Sequence, residues 1–96
     1  MTELQKLYFE FRNLPFPKLG KRIGDFPLYD SRLAGCADRA VRGEFVDPSI
    51  LPTPDRETLG AVDLLRKKPA LNDEEHAFLR YFELLEDIRQ LVMRNE

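Results

Sequence analysis

The residues with the most chemical potential in this sequence are one cysteine, one histidine and a row of arginines. His76 is the sole imidazole, so any histidine-dependent catalysis or ligation would rest on it alone. Asp73 and His76 stand three apart, a spacing that bundle metal centres use when several acidic ligands converge inward. Here the spacing turns His76 outward, and Asp73 falls in the first turn of a helix, where a carboxylate simply favours the dipole. No metal is expected. Gly20-Lys21-Arg22-Ile23-Gly24 has the glycines of a phosphate loop, but Arg22 stands where a hydroxyl should follow the lysine and no strand precedes it. A tight turn is the better reading. The serines, Ser31 and Ser49, sit in no nucleophile motif. Neither a catalytic apparatus nor a cofactor site is expected.

Cys36 falls among small residues of a helical stretch, which predicts a buried, inert thiol; Arg32 and Arg39, each within a turn of it, keep a reactive or ligand-binding role open. With no second cysteine there can be no intrachain disulfide, and nothing suggests secretion. Glu3 and Glu10 interrupt the first apolar stretch, unlike a signal peptide, and no run approaches the length of a membrane span. A cytoplasmic chain is expected.

Arg32, Arg39 and Arg42 project to one side of the same helix, with Gly35 between the first two. Glycine costs about 0.5–1 kcal/mol against alanine inside a helix. On a solvent face, core packing does not require it, and such a local inconsistency is often functional. Guanidinium groups capture carboxylates in a bidentate fashion, so the ridge suggests a protein partner that presents acidic groups. A second candidate surface is the flank formed by Leu79, Phe82 and Met93, apolar residues at the margin of a wide arc on the last helix. That flank suggests self-association as a homodimer.

These residues need elements to hold them. The chain has 96 residues, 43% apolar and 33% charged, with seven Phe and three Tyr, and fits one folded domain spanning 1–96. Leu4, Leu7, Tyr8, Phe11 and Leu14 recur at helical spacing after Thr2, a candidate N-cap, while Phe9 lies off their arc. Asp25 and Pro27 open a second helix that Gly43 ends, with Tyr29, Leu33, Cys36, Ala37, Ala40 and Val41 inward. Thr53-Pro54 reads as a cap and first position for a third, with Leu64 pointing outward. Asn72 with Glu75 forms a capping box for a fourth, whose arc runs through Ala77, Phe78, Tyr81, Leu84, Leu85, Ile88, Leu91 and Val92. The expected helices are 3–14, 27–42, 54–68 and 73–94, with boundaries good to about 2–4 residues.

Two irregular loops join them, pinned to the core by Phe16, Leu19, Ile23 and Phe26 in one and by Phe45, Val46, Ile50 and Leu51 in the other. The fold expected is all-α: a compact four-helix bundle with two core-anchored loops, its last two helices an antiparallel hairpin. The net charge of −2 and the tight final hairpin speak against nucleic-acid binding, and the first helix carries balancing charges that make it a poor membrane anchor. Arg12–Arg42 is basic and Asp73–Asp87 acidic, so mutual neutralisation in the fold is expected; Asp30, Glu83, Glu86 and Asp87 read as ordinary solvated carboxylates. The leading functional expectation is a non-enzymatic interaction or regulatory module. A small-ligand or enzymatic pocket at Cys36 is the alternative, and nucleic-acid binding a further one.

Overall fold

The computed structural model describes residues 1–94, which form four helices: α1 (Glu3–Arg12), α2 (Phe26–Val41), α3 (Arg56–Lys67) and α4 (Asp73–Met93). Short 3-10 turns at Leu19–Arg22 and Pro48–Ile50 interrupt the two long connections. The architecture is the all-α bundle that the periodicity predicts, with no strand among the described residues. No described helix is long and apolar enough to cross a membrane.

Capping chemistry places most of the helix ends. The Thr2 hydroxyl accepts the Gln5 N–H while the Gln5 amide oxygen accepts the Thr2 N–H, a reciprocal pair that fixes the start of α1. Asn72 and Glu75 do the same for α4. Gly43, at φ +86°, supplies the left-handed residue that ends α2. At α2 the N-cap position is Asp25, as expected, but its side chain makes no capping bond. α3 starts two residues later than Thr53-Pro54 suggests. Asp55 is its cap, accepting the Thr58 N–H at 2.8 Å, and the same carboxylate accepts the Asp25 N–H at 3.1 Å. A carboxylate is a stronger cap than a threonine hydroxyl and gains from the dipole, so it takes the position.

α4 is the axis of the bundle, with α1 and α2 packed along it and along each other, and α3 more lightly attached. Two large neighbours explain the width of its buried arc, which holds Phe78, Tyr81, Phe82, Leu84, Leu85, Ile88, Leu91 and Val92. Ala77 is exposed; the arc is rotated toward Phe82 instead. At the centre Phe26 is fully buried, its ring 4.9 Å from that of Phe78 and 6.0 Å from Tyr81. Aromatic pairs at these separations add to the stabilisation from burial. Phe26 also explains Gly20: a Cβ there would lie 2.8 Å from its ring, so the loop can cross Phe26 only as glycine.

The first loop is anchored as its sequence predicts, with Ile23 and Phe26 buried and Phe16 and Leu19 against the core. The second is anchored by half of the expected residues. Val46 and Leu51 are buried, but Phe45 and Ile50 are 74% and 55% exposed. Each exposed residue is the chain neighbour of a buried one. Neighbouring side chains diverge, so only one of each pair can reach the core.

Candidate functional site

α2 presents two faces with different chemistry. Its inner face carries Phe26, Tyr29, Leu33 and Ala37 into the core. Opposite them, at alternating spacings of four and three, lie Leu28, Arg32, Gly35, Arg39 and Arg42, all exposed. Helical geometry at 100° per residue gathers these five into one stripe directed away from the core. The end of the second loop lies beside this stripe, held near α4 by the Arg89 guanidinium, which donates to the Pro52 carbonyl at 3.0 Å. Ile50 is thereby brought to the α2 surface. It lines a shallow depression of about 370 Å³ with Arg32, Gly35, Cys36 and Arg39, and a second of the same size, shared with Arg32, that includes Leu28 and Leu51.

Three of the four residues of the expected ridge stand as the sequence suggests. Arg32 and Arg39 are exposed and make neither an ion pair nor a side-chain hydrogen bond among the described residues. A Cβ on Gly35 would meet nothing within 4 Å, so no packing inside the chain calls for glycine there. Arg42 differs: its guanidinium lies 2.6 Å from the Asp38 carboxylate one turn back. Asp38 also accepts a long 3.4 Å contact from the Tyr8 hydroxyl, which in turn accepts from Arg12 at 3.3 Å, so Arg42 belongs to a cluster joining α2 to α1. Cys36 is half-buried at the edge of the ridge, more open than its small-residue setting predicts. Leu28 escaped sequence reasoning, although it falls on the stripe four residues before Arg32. Ile50 was expected to be a core anchor, and only the folded loop brings it here.

The flank of Leu79, Phe82 and Met93 does not survive as a continuous surface. Phe82 is 3% exposed and stacks on Phe78 inside the core, Leu79 is partly buried against that core, and only Met93 is open, at 36%. The reason is the same wide arc: α4 has a neighbour on each side, and Phe82 faces one of them.

Carboxylates that look solvated in sequence cross-link the bundle instead. The Tyr81 hydroxyl on α4 donates to Asp30 on α2 at 2.6 Å, and the Tyr29 hydroxyl on α2 donates to Glu86 on α4 at 2.8 Å. Burial pushes the Asp30 carboxyl above its ordinary range, against the pull of the Tyr81 bond. Both phenols are driven far up, first by burial and then by the adjoining carboxylate, so they remain protonated donors. Nor do the basic and acidic segments neutralise each other. Two acidic residues of α4 pair with the end of α3, Glu75 with Lys68 and Glu83 with Arg66 at 3.8 Å, while Arg80 on α4 reaches Glu10 on α1 at 2.9 Å. Lys68, and after it the Asn72 N–H, hold the Glu75 carboxyl below its ordinary range. Among the described residues no carboxylate lies within ion-pair distance of Arg32 or Arg39, although Asp25 and Asp55 line the same depression as Arg32.

His76 is exposed, and among the described residues no group of three or more His, Cys, Asp or Glu is placed to hold a metal ion. Comparison with protein-family models, with curated proteins and with solved structures returns no match.

Proposed function

We propose that this chain is a non-enzymatic protein-interaction module that binds an acidic partner through the outer face of α2. The observation that carries the reading is the pair Arg32 and Arg39, unpaired among the described residues, on either side of a glycine that the fold itself does not need. Exposed arginines in many proteins find a carboxylate within the chain, as Arg42, Arg66 and Arg80 do here. Arg32 and Arg39, like Arg22 and Arg56, do not; what sets these two apart is their place on one stripe beside the exposed apolar side chains of Leu28 and Ile50, the mixed character of an interface with an arginine anchor. A regulatory or accessory role in the cytoplasm, where the single thiol stays reduced, is consistent with this surface.

The test is the double substitution Arg32→Glu with Arg39→Glu. Stability should stay within about 0.5 kcal/mol of the parent, as for other surface changes. Partners that co-purify with the parent chain should be lost. A chain that melts much earlier would show that the arginines serve the fold, and an unchanged set of partners would end the reading. A second reading, a small anionic ligand seated over Cys36, is favoured by the lining of the depression between the two arginines. Protection of Cys36 from a thiol reagent by small carboxylates or phosphate would support it; protection by a protein partner alone would remove it.

A further inference from the structure

From the surface just described, and resting on its assignment as the contact face, we infer that the occupant is an α-helix. It lies along α2 and carries two carboxylates seven residues apart with a small residue between them. The stripe Leu28, Arg32, Gly35, Arg39, Arg42 has the four-three spacing of a seam against which a second helix packs along its length. Its composition runs in order. At one end Leu28 is 48% exposed in a depression that also holds Ile50, Asp25 and Asp55, the middle is a glycine, and the arginines bracket that glycine with Ile50 alongside.

A glycine in the seam lets two helix backbones approach closely, as small residues do at helix crossings. An extended strand or a loop gains less from a notch that is one residue wide, because its own side chains alternate and do not follow a helical stripe. Arg32 and Arg39 are separated by about 10 Å along the axis, the rise of two helical turns. A partner helix meets that separation with acids at positions i and i+7. A small residue at i+3 or i+4 then lies over Gly35, and an apolar residue three or four positions beyond the acid that faces Arg32 lies over Leu28 and Ile50. Arg42, occupied by Asp38, contributes little. A stacked polyanion such as nucleic acid would need a broader basic field than two arginines on a chain of net charge −2.

The experiment is selection on the full chain from a displayed library containing both helix-forming and unstructured random peptides, followed by affinity measurement with the synthetic peptides recovered. The expected winners are helix formers with Asp or Glu seven apart, Ala, Gly or Ser between them, and an apolar residue at one end. Isomers of equal composition with the acids moved two apart should bind at least about tenfold more weakly, as should the winners on Arg32→Glu/Arg39→Glu or on Gly35→Leu. Circular dichroism of each variant verifies that it is folded. Gly35→Leu has open space in which to fold.

Winners that depend on the arginines but are extended, or lack the seven-residue pattern, overturn the helix and leave the protein-binding reading standing. Winners indifferent to the arginine substitutions, or no winners at all, overturn both. Tighter, arginine-dependent binding of a duplex DNA or RNA oligonucleotide in a gel shift assigns the surface to nucleic acid and overturns both as well.

Discussion

Asp30 accepts a 2.6 Å hydrogen bond from Tyr81 while half withdrawn from water, and burial raises its pKa above the ordinary 3.8. An acid whose folded pKa lies above its unfolded one destabilises the fold once it is ionised. That loss is relieved as pH falls through the raised pKa toward 3.8. Asp30→Asn keeps an oxygen to accept from Tyr81 and removes the charge. It should therefore equal or exceed the parent in stability at pH 7, with the difference shrinking as pH is lowered into the acid range. Asp30→Ala removes the acceptor and should cost about 1–3 kcal/mol by leaving the Tyr81 hydroxyl unpaired. Denaturant unfolding of both variants across pH checks the pair; a larger loss for Asn than for Ala would contradict it. Glu75 titrates with the opposite sign. Held down by Lys68 and the Asn72 N–H, it contributes stability above 4.5 that is lost as pH falls through its lowered pKa.

At the scale of elements, α4 carries the core and α3 adds least to it. Leu85→Ala, at a site 1% exposed, should cost about 2–5 kcal/mol. Leu64→Ala on the outer side of α3, 68% exposed, should stay within about 0.5 kcal/mol of the parent. Chemical denaturation of the two reads the contrast, and equal losses would mean that the core is misplaced. These elements were largely legible in the sequence, because apolar spacing and capping residues act over a few positions. Thr2 with Gln5 and Asn72 with Glu75 bond within one turn, so their signals are complete where they stand. Thr53-Pro54 misleads because Asp55, two residues later, caps more strongly. Phe82 misleads because the width of a buried arc depends on how many neighbours a helix acquires. Asp30 and Glu86 were illegible as cross-links: their tyrosines are 51 and 57 residues away, and nothing local marks the pairing. The outward stripe of Arg32, Gly35 and Arg39 follows from helical spacing alone, whereas Arg42, expected on the same ridge, pairs instead with Asp38 four residues before it. Ile50 joins them only through the path of a loop that tertiary contacts determine.

For the molecule as a whole, the position of α4 in the chain has a consequence for how the fold is assembled. The helix that α1 and α2 both pack against is the last of the four to be synthesised. Its start links through Arg80 to Glu10 and its end borders Glu3 and Leu7, so the main partner of α1, beyond α2, lies some seventy positions downstream. Residues 1–72 lack Phe78, Tyr81 and Phe82, whose rings pack around Phe26, and also the buried Leu85 and Ile88 of the same core, and local helix propensity does not hold short isolated helices together. That fragment should be largely unfolded by circular dichroism, and adding a peptide of residues 73–94 should restore helicity in a one-to-one complex. A fragment that is cooperatively folded by itself would contradict this. On this expectation the first three helices stay open until α4 arrives, and α4 acts toward them as an internal ligand whose binding is the folding step.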